Sequence, residues 1–93
     1  MKRVLLRSAA FIRAAKRIAK KNPQSTPEIQ ATLELLANDA FDPRLRTHKL
    51  SGELADSWAC SAGYDLRIIF SFVELEKAEA ILLESIGTHD EVY

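Results

Sequence analysis

One stretch limits what this chain can become more than any other. Across residues 65–74, Leu66, Ile68, Phe70 and Phe72 alternate with Asp65, Arg67, Ile69, Ser71 and Val73. Alternation with a period of two puts the first set on one face of an extended strand. Such a strand needs paired neighbours and a layer covering its apolar face.

The rest of the chain supplies both. Residues 2–6 read as a short strand. Ser8 then stands as an N-cap before Phe11, Ile12, Ala15, Ile18 and Ala19, which recur at helical spacing. Arg13, Lys16, Arg17 and Lys20 take the opposite face, and Asn22 with Pro23 stops the helix. A second helix begins either with Thr26 as N-cap and Pro27 in the first turn, or one residue earlier with a Ser25–Glu28 capping box. Ile29, Leu33, Leu36 and Ala37 form its apolar face, and it ends near Asn38 or Asp39. Residues 41–54 are polar and rich in turn signals, Asp42-Pro43 and Ser51-Gly52 among them. A weak strand at 58–62, a turn at Gly63, the strong strand and a last strand at 80–86 complete the chain. The predicted order is β-α-α-β-β-β. This is an α+β fold, with a helical hairpin packed on a small, mainly antiparallel sheet. Its 93 residues suit one domain spanning 1–93.

Charge is distributed unevenly. The formal net charge is zero, yet residues 1–50 carry 11 Lys/Arg against 4 Asp/Glu, and residues 51–93 carry 2 against 9. A surplus of seven positive charges thus sits in one half and seven negative in the other. Such a split suits a basic face for phosphates or an acidic partner, and equally two offsetting solvated faces. The acid-poor start resembles a presequence in composition, but its removal would delete a strand and a helix, so it reads as part of the fold. No run of about 18 apolar residues is present, and no membrane association is expected. Cys60, the only cysteine, reads as a small buried hydrophobe and not a nucleophile; one cysteine cannot close an internal disulfide, which points to a reducing compartment, the cytoplasm.

The chemistry-bearing residues are His48, Asp65, Arg67 and His89, with Tyr93 at the end. Asp65 and Arg67 are two apart on the strong strand and are predicted to share a face. Both histidines fall in turn-like segments, and Gly87 offers a low-cost turn before His89. Singly, each has an ordinary reading as a surface ion pair or a solvated side chain. Together they match the needs of RNA cleavage. A base removes the 2′-hydroxyl proton, a cation stabilises charge on the phosphorane, and an acid protonates the leaving 5′-oxygen. Histidine serves the proton transfers, arginine the charge, and a tyrosine can stack on a base. Two histidines without neighbouring cysteines or paired carboxylates make a poor metal-ligand set, so neither metal nor cofactor is expected.

Four segments carry a family resemblance. The run Arg46-Thr47-His48-Lys49-Leu50-Ser51-Gly52 resembles the turn of YafQ-type toxins of the RelE/ParE superfamily. Ser57-Trp58 resembles the start of their next strand, and Asp65-Leu66-Arg67-Ile68-Ile69-Phe70 resembles the superfamily's central strand with its Arg. Gly87-Thr88-His89-Asp90-Glu91-Val92-Tyr93 resembles their Gly-Thr-His tail, with an aromatic four residues after the His. The resemblance implies the toxin of a type II toxin-antitoxin system, a RelE-like fold and ribosome-dependent mRNA cleavage. It implies His89 as general acid, His48 and Asp65 as base or its orienting group, and Arg67 on the scissile phosphate. Tyr93 would pack on an mRNA base, with Lys49 and Arg46 as further substrate-binding candidates. Arg13, Lys16, Arg17 and Lys20 become candidates for ribosomal RNA, and a cognate antitoxin is the implied protein partner. One departure matters: family members carry another His between the Trp strand and the Asp, where this chain reads Ala59-Cys60-Ser61-Ala62-Gly63-Tyr64. The general base is therefore open between His48, Asp65 and, more weakly, Tyr64. The competing readings are a ParE-like gyrase poison, which the acid–base set argues against, and an inactive binding domain of the same fold.

Overall fold

The computed structural model describes residues 2–93. In chain order its elements are β1 (Leu5–Arg7), α1 (Ala9–Lys21), α2 (Thr26–Asn38), β2 (His48–Lys49), β3 (Trp58–Ser61), β4 (Leu66–Leu75), β5 (Ala78–Thr88) and α3 (His89–Val92). Short 3-10 turns at Pro23–Ser25, Pro43–Leu45 and Gly52–Leu54 link them. The strands form one sheet in the order β1-β5-β4-β3-β2. β1 joins β5 in parallel, and the other three pairings are antiparallel. This is the expected α+β order, with a two-residue edge strand and a closing helical turn added.

The alternation in β4 becomes the core. Ile68 and Phe70 are fully buried, together with Cys60 of β3 and Ile81, Leu83 and Ile86 of β5. They pack in one cluster with Phe11 and Ala14 of α1, Ile29, Leu33 and Leu36 of α2, and Ala40 and Leu45 beyond it. Each large side chain in such a cluster contributes about 1.5–3 kcal/mol by leaving water. Burial also pushes the Cys60 thiol up to about 12, against a smaller opposing pull from Arg67, so it carries no thiolate at neutral pH.

A break in register between Ile69 and Phe70 has a clear cause. Ile69 faces Ser85 while Phe70 faces Leu83, which leaves Glu84 as the extra residue of a bulge. In a regular strand, residues three apart point to opposite faces. The bulge lets Leu83 and Ile86 both enter the core, and turns Ser85 and Gly87 to the other face.

Three local expectations are corrected. β1 begins at Leu5, not at residue 2, because the Arg3 amide donates to the Ala37 carbonyl at the end of α2 (2.8 Å). Helix α2 uses neither predicted cap. Thr26 is already helical, and Ser25 in the N-cap position has helical backbone angles and no side-chain cap bond, because the Pro23–Ser25 turn runs straight into the helix. His48 lies on an edge strand paired with Ala59, not in a turn. Ser8, by contrast, caps α1 as expected: its hydroxyl accepts from the Phe11 amide and donates to the Glu84 carbonyl, each at 3.0 Å.

Ser8→Ala should therefore cost about 1–2 kcal/mol, lowering Tm by roughly 4–8 °C per kcal/mol. Ser25→Ala should cost clearly less than Ser8→Ala, because the Ser25 hydroxyl makes no cap bond. Thermal melts of both variants check this, and equal losses would contradict the assignment of caps.

Candidate functional site

The sheet face away from the helices carries the polar residues. Directly opposed residues share a face, so His48, Ala59, Ile69 and Ser85 form one row across four strands, and Ser61, Arg67 and Gly87 form the next. Lys49, next to His48 on β2, pairs with Trp58 and points to the opposite face, its ammonium 6.0 Å from the Trp58 ring centroid.

The chain then returns over this face through α3. A capping box starts the turn: the Thr88 side chain bonds the Glu91 amide, and the Thr88 amide donates to the Glu91 carboxylate at 2.8 Å. Hydrogen bonds from the Thr88 backbone and side chain hold the Glu91 carboxyl below its usual value, with Arg17 and Lys21 adding to the effect. Gly87 has a different use from the one expected. It is a strand residue opposite Arg67, and a Cβ there would stand 3.0 Å from Glu91 Oε1 and 3.1 Å from Val92 Cγ1. A side chain there would crowd the final turn by a few tenths of an ångström, so glycine suits the close approach of the tail to the sheet.

That closure brings Tyr93 between two histidines 41 positions apart. Its hydroxyl lies 3.3 Å from His48 Nε2. Its ring centroid is 4.5 Å from that of His89, edge to face, and 6.4 Å from that of His48. His48 Nδ1 is 3.0 Å from the Arg46 carbonyl. A carbonyl only accepts, so Nδ1 carries a proton, and Nε2 is the ring nitrogen that faces the Tyr93 hydroxyl. Burial raises the Tyr93 phenol, and the nearby Arg67 charge partly opposes it.

Arg67, whose charge acts on Tyr93, shares a second feature with Asp65. Both line an open groove of about 570 Å³ with Arg44, Arg46, Ser61, Gly63 and Tyr64. Asp65 lies in the bend before β4 and not on the strand. Arg67 Nη1 donates to the carbonyls of Leu66 (2.9 Å) and Tyr64 (3.4 Å). Asp65 also borders a smaller cleft of 260 Å³ with Arg17, Lys21, Thr88 and Glu91. On α1, Arg13, Lys16, Arg17 and Lys20 are all exposed, and Arg17 reaches Glu91 at 3.8 Å. Two contributors went unread in the sequence. Arg44 left no signal, whereas the Thr88/Glu91 box was legible as a Thr-x-x-Glu pattern. Among the described residues, no group of three or more His, Cys, Asp or Glu is placed to hold a metal ion, and no helix is long and apolar enough to cross a membrane.

Sheet, helical hairpin and returning tail together define a toxin fold of the RelE/ParE type. The chain superposes on the YoeB/ParE toxin from Agrobacterium tumefaciens with a TM-score of 0.77 at 10% identity, over 92% of this chain and 98% of that one. It superposes on YafQ from E. coli with a TM-score of 0.77 at 18% identity, over 99% of each chain. Against the E. coli DinJ-YafQ toxin-antitoxin complex the TM-score is 0.75 at 19% identity, over 100% and 99%. Likeness at these identities speaks for the fold. Comparison with curated proteins finds no match. The family model described as "Bacterial toxin of type II toxin-antitoxin system, YafQ" matches residues 3–93. This chain belongs to the YafQ family of type II toxin-antitoxin toxins.

Because the folded pKa of Glu91 is depressed, its contribution to the tail is present above the unfolded value near 4.5 and is lost as pH falls through the lower folded value. The Thr88 amide resonance should titrate with a midpoint below 4.5. An NMR titration that puts the midpoint at or above that value would contradict the capping box.

Proposed function

We propose that this toxin is a ribosome-dependent mRNA endonuclease of the cytoplasm that cuts by acid–base chemistry without a metal ion. The supporting observation is the single corner where Tyr93 touches both His48 and His89 beside Arg67. The tautomer set by the Arg46 carbonyl suits His48 as the base. Substrate displaces the Tyr93 hydroxyl, and Nε2 takes the proton of a ribose 2′-hydroxyl. The 2′-oxygen attacks phosphorus, the bond to the 5′-oxygen breaks, and His89 gives that oxygen a proton. A 2′,3′-cyclic phosphate and a 5′-hydroxyl remain. Arg67 balances charge on the phosphorane through its planar fork. Asp65, in the groove with Arg67, is placed to orient it or a sugar hydroxyl. Once displaced, the Tyr93 ring is free to pack on a base.

A net charge of zero suits a protein that depends on the ribosome to present its substrate. The exposed face of Arg13, Lys16, Arg17 and Lys20 is the proposed contact with ribosomal RNA, where phosphates dominate recognition. Since E. coli YafQ is found in complex with the antitoxin DinJ, a cognate antitoxin is the proposed protein partner here too.

Single-turnover cleavage of a ribosome-bound message tests the reading. His48→Gln and His89→Gln should each lose about 10²–10⁴ in rate, with melting and antitoxin binding retained, and the same message without ribosomes should stay intact. Parent-like rates in both variants would contradict the mechanism. Gyrase inhibition without cleavage would replace it.

A further inference from the structure

Tyr64 is 99% exposed, the most exposed large apolar side chain of the described residues, so its ring contributes nothing to the core. Its backbone lies in a defined turn. Gly63 before it has φ +94°, which disfavours any side chain, and a Cβ there would collide with the Glu28 carboxylate of α2. The Tyr64 carbonyl accepts from Arg67 Nη1. The turn thus displays an exposed aromatic ring at the rim of the groove that holds Arg67.

The charges around that groove are unequal in their freedom. Arg44 is engaged by Asp42 through two bonds, Nε to Oδ1 at 3.0 Å and Nη2 to Oδ2 at 2.8 Å. Those bonds draw the Asp42 carboxyl down to about 2, so the pair stays ionised and mutually satisfied. Arg67 has spent one nitrogen on carbonyls and keeps further donors in its fork. Arg46 adopts the left-handed conformation (φ 53°), an uncommon state for a side-chain-bearing residue. That conformation accompanies two roles: its carbonyl orients His48 while its side chain lines the groove. Asp65 is the one carboxylate in the lining. It repels a phosphate toward Arg46 and Arg67, and it can accept from a base amino group or a sugar hydroxyl.

We infer that this groove is a subsite for one nucleotide of single-stranded RNA next to the scissile phosphate, its base stacked on Tyr64 and its own phosphate held by Arg46, while Arg67 stays on the scissile phosphate. The inference rests on the endonuclease reading and deepens it. It also gives Tyr64 a role that needs its ring and not its hydroxyl, which removes it from the contest for general base.

The test measures single-turnover cleavage of a ribosome-bound message against toxin concentration. Stacking on an exposed aromatic is worth a factor of roughly 5–150 in affinity. Tyr64→Ala should raise the half-saturating concentration by that factor while the maximum rate falls far less. Tyr64→Phe, which keeps the ring, should restore the half-saturating concentration. Because the side chain touches no core residue, melting should be unchanged in both. A Tyr64→Phe variant that loses the maximum rate would overturn the stacking role in favour of a proton-transfer role. An unchanged half-saturating concentration in Tyr64→Ala, with the parent still cutting, would overturn the subsite and leave the endonuclease reading intact. If the parent cuts nothing, that reading itself fails. Fluorescence anisotropy with a labelled single-stranded oligonucleotide bearing a 2′-deoxy linkage then decides the subsite alone: weaker binding by Tyr64→Ala supports it, and equal binding overturns it.

Discussion

The ladder between β4 and β5 is the constraint on which the other positions depend. Ten residue pairs join the two strands, from Leu66 opposite Thr88 to Leu75 opposite Ala78. They fix which side chains enter the core and which face the open side. The bulge at Glu84 lies inside this ladder. Without it, Leu83 and Ile86 could not both face the helices, and Gly87 would not stand opposite Arg67 with its open side toward the returning tail. The apolar pattern that stabilises the fold and the placement of the polar corner thus have one origin.

The corner itself is held by weaker forces. Its closing element is a four-residue helical turn secured by the Thr88/Glu91 box and an exposed ion pair between Arg17 and Glu91. Exposed pairs of this kind contribute little, because solvent screens them. The contact of Tyr93 with His48 is a single hydrogen bond at 3.3 Å on a partly exposed ring. Such a contact exchanges readily for a substrate hydroxyl, as the proposed chemistry requires. The rigid part of the site is the sheet, which positions His48 and Arg67, and the adaptable part is the tail, which carries His89 and Tyr93.

Much of the fold was legible because its strongest signals are periodic. The alternation in β4 and the helical spacing after Ser8 each read directly into an element. β2 did not, since two residues carry no period and the flanking Pro43 and Gly52 announce turns. His48 therefore looked like a loop residue, although pairing with Ala59 fixes its direction. Asp65 looked like a strand residue because the alternation includes it, yet the tight turn at Gly63 delays the strand to Leu66. The tail was read as a turn-like segment after Gly87, and the Thr-x-x-Glu pattern beginning at Thr88 was the overlooked signal of a capped turn. What no local pattern could supply was the approach of His48 and His89 to one tyrosine, Tyr93, because it depends on long-range pairing and on the return of the tail over Gly87.

The pH dependence of single-turnover cleavage on ribosome-bound message tests the paired roles of these histidines most directly. Acid–base catalysis by this pair gives a bell-shaped profile for the parent, with His48→Gln losing the acidic limb that reports the base and His89→Gln losing the basic limb that reports the acid. A parent profile without two limbs, or one left unaltered in shape by either substitution, would contradict acid–base catalysis by this pair.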